Sequence, residues 1–243
     1  EGLQLGNLGL VYQHLGQYEQ AISYYKQSVQ IAREIGDKRV EAIQLGNLGD
    51  LFVTEKKWKE AEKHLLASLE ICRCTNYVVG TGVFEGSLSL VYSYLGKTEE
   101  ALARLKEGEP LTESYPLEYG KFLCKKAKVL FLAHQPVNAR SALNKAKSIA
   151  NEIKAGENSE LTRAITETTE FLKASSPSPS DETTSPIYNS ASADISLTEE
   201  QIEDLRTEAD ELMEQGNIEE AESCYEEALE FFNQALTIYK RID

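Results

Sequence analysis

Small and large apolar residues return along this chain in a rhythm of about forty positions. Five alanines mark it, Ala21, Ala61, Ala101, Ala139 and Ala221, at spacings of 40, 40, 38 and 82. Twelve residues before each stands a small residue (Gly9, Gly49, Ser89, Ala127, Ala209), and nine before stands a large one (Tyr12, Phe52, Tyr92, Leu130, Leu212). Four after comes Tyr25, Leu65, Leu105, Leu143 or Tyr225; seven after comes Ser28, Ser68, Gly108, Ala146 or Ala228. Residues three, four and seven apart share one face of a helix. Each period therefore predicts two antiparallel helices, held close by the small positions and filled between by the large ones. Gly16, Gly96 and Gly216 fall between the helices of their units, where a left-handed residue ends a helix at least cost. Lys56 and His134 take that place in the second and fourth units, at a cost of up to about 1 kcal/mol each.

The pentapeptide Leu5-Gly6-Asn7-Leu8-Gly9 recurs intact as Leu45-Gly46-Asn47-Leu48-Gly49. A fixed internal period marks stacked supersecondary units, which bury a continuous core only by packing on their neighbours. The predicted fold is an all-α solenoid of antiparallel helix pairs. Four pairs occupy about 1–40, 41–80, 81–118 and 119–156. A closing helix at 157–173 carries Leu161, Ala164, Ile165, Thr168 and Leu172 on one face. The stretch 174–196 is rich in Ser, Thr and Pro and too poor in large apolar residues to offset its chain entropy, so it reads as a disordered linker. An acidic helical hairpin follows at 197–243, opened by Thr198 as cap and ending in an extended second helix. Glu1-Gly2 aligns with Glu41-Ala42, inside the repeat, and the chain reads as a piece of a longer protein.

The pattern resembles the tetratricopeptide repeat. The matching residues are Leu8-Gly9, Tyr12, Gly16, Tyr18, Ala21 and Tyr25, then Leu48-Gly49, Phe52, Trp58 and Ala61, then Tyr92, Gly96 and Ala101. The forty-residue, asparagine-bearing form is similar to repeats of kinesin light chains, spindle-orientation adaptors and bacterial signalling regulators. That resemblance implies a right-handed superhelical array whose first helices line a concave groove. It implies groove positions at Asn7, Leu10, Gln13 and His14; Asn47, Asp50 and Thr54; Ser87, Leu90, Ser93 and Tyr94; and Lys121, Lys125, Lys128 and Phe131. In related arrays an asparagine at the place of Asn7 and Asn47 holds the backbone of an extended peptide. An amide suits this because it donates and accepts at once. Ser87 and Lys125 depart from the asparagine.

Charge divides the chain. Positions 1–173 hold 22 Lys+Arg against 22 Asp+Glu, and 174–243 hold 3 against 18, so the net −15 belongs to the last seventy residues. So acidic a tail argues against nucleic acid, which requires a basic face. The fourth unit is basic, with Lys121, Lys125, Lys126, Lys128, Arg140, Lys145 and Lys147 forming a candidate patch for an acidic ligand. The tail itself is the nearest such ligand, docked within one molecule or exchanged between two copies. No apolar run approaches the roughly 18–20 residues of a membrane span.

Chemistry is sparse. Cys72 and Cys74 point about 200° apart on a helix, too divergent to share a disulfide or a metal. His14, His64 and His134 lie in separate units, and no glycine-rich phosphate loop follows a strand. The expectation is a cytoplasmic, non-enzymatic scaffold without cofactor or metal, whose partner is a protein or peptide segment. The competing expectation is a sensory region that governs an attached kinase, cyclase or nucleotide-switch domain.

Overall fold

The computed structural model describes residues 2–157 and 159–174, which form helices and turns with no strand. Nine helices follow in order: α1 Gly2–His14, α2 Tyr18–Ile35, α3 Lys38–Thr54, α4 Trp58–Cys74, α5 Val78–Tyr94, α6 Thr98–Thr112, α7 Pro116–Leu132, α8 Pro136–Glu152 and α9 Glu160–Ala174. They pack as the pairs α1–α2, α3–α4, α5–α6 and α7–α8, and each pair packs on the next. This is the helix-pair solenoid that the periodicity predicts. Apart from Ala174, which ends α9, the linker at 174–196 and the acidic hairpin at 197–243 lie outside the described residues.

The period has a simple composition. Two 17-residue helices, α3 and α4, each followed by a three-residue turn, make up the forty. Within each pair the turn is the same. Its central residue is left-handed, at φ 73° for Gly16, 59° for Lys56, 75° for Gly96 and 58° for His134. The next amide donates back to the carbonyl of Tyr12, Phe52, Tyr92 or Leu130 at 2.9 Å, which satisfies a carbonyl the helix end leaves open. The third period is shorter by two because α6 has only 15 residues, with Pro110 near its end. Pro116 then opens α7, at a position where its missing N–H is not needed.

Close packing explains the pentapeptide. A β-carbon on Gly49 would lie 2.5 Å from Leu65 Cγ, so this glycine brings α3 against α4. The other glycine of the pentapeptide faces the next pair: a β-carbon on Gly46 would lie 2.0 Å from the Phe84 ring. The same socket recurs as Gly6 under Gln44 and Gly86 under Phe122, so each first helix locks into its successor. Ser68 Oγ, seven after its alanine, donates to the Ala42 carbonyl at 2.7 Å and ties α4 to the start of α3.

Two buried clusters result. One runs from Ala21 through the first three pairs to Phe122 and Val129; the other runs from Tyr119 to Leu172. α9 belongs to the second. Leu161 sits on Gly120, and Phe171 meets Phe131 edge-on with centroids 5.8 Å apart. Lys121 pairs with Glu160, and Lys128 with Glu167 at 3.8 Å. Contacts advance in the same direction on both helices, so α9 lies parallel to α7 as a further first helix would.

Candidate functional site

The positions expected to line a groove sit on the first helices, and some of them join in a polar file. On α1, Asn7, Leu10, Gln13 and His14 are half-buried. Gln13 accepts a hydrogen bond from the Tyr25 hydroxyl at 2.9 Å. Asn47 on α3 donates to Gln44 one turn earlier at 3.2 Å, which fixes the orientation of its amide. One turn further along, Asp50 receives Lys125 Nζ from α7 at 3.3 Å. The same ammonium donates to Ser87 Oγ on α5 at 2.5 Å. Ser87 is only 1% exposed, and its hydroxyl donates a hydrogen bond to the Val83 carbonyl. Asp50, Ser87 and Lys125 thus form one link across three successive first helices, although they stand 75 positions apart at its ends.

The remaining groove positions are distributed around that link. Thr54 is exposed and bonds the Asp50 carbonyl, while Leu90 is buried in the core. Ser93 donates to the Ser89 carbonyl. Tyr94 stacks on Trp58 with centroids 4.3 Å apart. Lys121 bonds Glu118 at 2.9 Å and Glu160 at 2.7 Å.

The basic stretch does not present a single surface. Lys121, Lys125 and Lys128 share one stripe of α7 with the polar file, paired with Glu160, Asp50 and Glu167. Lys126 points the other way and holds both oxygens of Glu109, at 2.6 and 2.7 Å. Lys145 donates to the Tyr119 hydroxyl at 2.5 Å, and Arg140 and Lys147 are exposed on α8.

Three groups escaped the sequence reading. Arg163 of α9 reaches His14 of α1, Nη1 to Nδ1 3.1 Å, bringing together residues 149 positions apart. Beside it, the positive charge of Lys121 holds the Glu160 carboxyl down to about 2, outweighing burial, with its hydrogen bond, His14 and Arg163 adding to the effect. Glu85 is fully buried on α5 between Arg73 and Arg104, and burial pushes its carboxyl up despite both guanidiniums. No periodicity marks these residues, because they belong to single units.

Among the described residues, these positions offer hydrogen bonding and charge pairing. The described residues contain no cluster of three metal-ligating side chains. None of their helices is long and apolar enough to cross a membrane. Cys72 and Cys124 are buried thiols, the latter pushed up to about 11 by burial, whereas Cys74 is exposed.

Comparison with known proteins adds two matches to family models. Residues 3–73 match a tetratricopeptide repeat model, and residues 208–235 match a second tetratricopeptide repeat model. No curated protein matches the chain. Among solved structures, the crystal structure of BtubC (BKLC) from P. vanneervenii is similar in fold, with a TM-score of 0.50 at 16% identity. The alignment covers 76% of this chain and 70% of that one.

Proposed function

Because the chain carries tetratricopeptide repeats, we propose that it is an interaction scaffold whose first helices hold an extended segment of a partner protein. Such repeats act in general as protein-binding surfaces. The observation that carries the reading is the polar file Asn47, Asp50, Ser87 and Lys125, crossing α3, α5 and α7. First helices packed about 8–10 Å apart match roughly three residues of extended chain, so one polar group per helix meets a peptide backbone at regular intervals. The Asp50–Lys125 link fixes the floor of that surface before a partner arrives, which lowers the ordering cost of binding. On this reading the acidic residues after 174 compete for the same basic and polar groups, within one molecule or between two.

The test is thermal unfolding of the whole chain against a library of extended peptides. A ligand at about a hundred times its Kd stabilises by about 2.7 kcal/mol. The shift given by a true ligand should fall by at least half in Asn47→Ala and in Lys125→Ala. A library that shifts nothing, or ligands indifferent to both substitutions, would reject the proposal.

A further inference from the structure

In the first three units a side chain of the second helix covers the large residue of the first. Tyr24 stacks on Tyr12 at 5.1 Å and His64 on Phe52 at 5.3 Å, while the Arg104 guanidinium lies 6.0 Å from the Tyr92 ring. In the fourth unit the same two places hold Leu130 and Ala142. The ring is gone from one side and the cover from the other. A cavity of about 330 Å³ stands there, lined by Leu123, Leu130 and Ala142 below and by Glu109, Lys126, Asn138, Ser141 and Lys145 around its mouth.

The mouth is polar for a matching reason. The position that holds Val29 and then Leu69, eight after the alanine, holds Glu109 in the third unit. Its partner on the following helix, Leu48 and then Leu88, becomes Lys126. Lys126 clasps Glu109; the Tyr119 hydroxyl donates to Glu109 at 3.4 Å and accepts from Lys145. Lys126 and Lys145 face Glu109, with Glu113 also within electrostatic reach of Lys145, and each ammonium has three protons to donate. Arg140 and Lys147 add exposed positive charge on α8.

The geometry points to a second docking site, for one aromatic side chain of a partner polypeptide flanked by carboxylates. The size fits a single side chain, near the lower end of ligand pockets at roughly 300 Å³. In the three sibling units a tyrosine, a histidine and an arginine guanidinium lie over the corresponding large residue, so a planar side chain offered by a polypeptide repeats what the fold already does. The apolar floor takes the ring, and Lys126 and Lys145 take the neighbouring acid groups. This cleft lies on the stripe of α7 carrying Leu123, Lys126 and Leu130, opposite the stripe of Lys121, Lys125 and Lys128. It is independent of the groove reading.

The experiment titrates the isotope-labelled full chain with the peptide Ac-Asp-Glu-Tyr-Glu-NH2 and follows amide resonances. The expected result is saturable shifts centred on Asn138, Ser141 and Ala142, weakened about tenfold or more when Tyr is replaced by Ala in the peptide. Lys145→Glu should weaken binding by about tenfold by reversing a rim charge. Ala142→Arg, which installs the cover found in the third unit, should abolish it while circular dichroism stays helical. Should that variant unfold, Lys145→Glu and the alanine peptide still decide the matter. Absence of shifts at millimolar peptide, or shifts centred elsewhere, would overturn the site. Equal affinity for free 4-hydroxyphenylacetate would overturn the polypeptide source in favour of a small aromatic acid.

Discussion

Single residues set the turns of this array, and in the turns within helix pairs two of them are poor choices for the backbone they occupy. Lys56 and His134 adopt the same left-handed conformation as Gly16 and Gly96, with φ near 60°. A β-carbon in that region meets the following carbonyl, at a cost of roughly 1 kcal/mol or more. Both residues are exposed, so little packing opposes a change. Lys56→Gly and His134→Gly should each raise the thermal midpoint by about 2–4 °C in a chain of this size, measured by calorimetry. A fall in the midpoint for both would show that their side chains contribute more than the strain removes. The two buried carboxylates teach the opposite lesson about residue identity. Glu41 is held below the usual range, because hydrogen bonds and charge from Lys38 and Arg33 outweigh its burial. Glu85, with two arginines, is still pushed up by deeper burial. A partner's presence alone does not fix the sign; the depth at which the pair meets does.

Among the elements, α9 joins the array through charge as well as through apolar contact. Leu161, Thr168 and Leu172 bury one face, and Glu160 sits at its start bonded to Lys121. The Glu160 carboxyl is depressed to about 2 in the fold, against an unfolded value near 4.3. A carboxylate lowered by folding stabilises above its unfolded value and loses that contribution as pH falls through the folded one. The contribution, on the order of 2–3 kcal/mol, is therefore complete above about pH 5 and lost between there and pH 2. Protection factors in α9, which divide out the intrinsic slowing of amide exchange in acid, should then fall on acidification through that window, and Glu160→Gln should give the low protection already at pH 7. Exchange in the variant that matches the parent at pH 7 would remove Glu160 from the account. Most helices were legible beforehand because their spacing repeats: the small and large positions fix which faces meet, and Gly16 and Gly96 fix where helices end. The residues expected in a groove were legible as positions on first helices, but their partners were not. Lys125 meeting Asp50, and Arg163 meeting His14, depend on how far successive pairs rotate, which no local period encodes. The Gly46 socket was visible as a second glycine in the pentapeptide, yet its occupant, Phe84, lies in another unit.

Across the described residues as a whole, the joints between pairs are unequal. The first two are closed by apolar pairs at Val29/Leu48 and Leu69/Leu88, all buried in one cluster. At the third joint the same places hold Glu109 and Lys126, whose side chains remain 25% and 24% exposed. The buried cluster divides there, and the cavity opens beside it. An ion pair removed from much of its water is commonly less stabilising than an apolar pair of similar volume, by about 1–4 kcal/mol. Partial exposure puts this one at the low end, near 1 kcal/mol. The double variant Glu109→Leu, Lys126→Leu should accordingly raise the midpoint by about 2–4 °C. Lys126→Leu alone should lower it, because Glu109 loses the ammonium that holds both its oxygens. Unfolding of the parent, both single variants and the double variant closes the cycle and isolates the coupling between the pair. A double variant less stable than the parent would mean that the polar joint is the tighter one. A more stable variant that has also lost the tyrosine peptide would tie the weak joint to the site beside it, since repeats that keep a less stable pair where their siblings keep apolar residues are then trading cohesion for recognition.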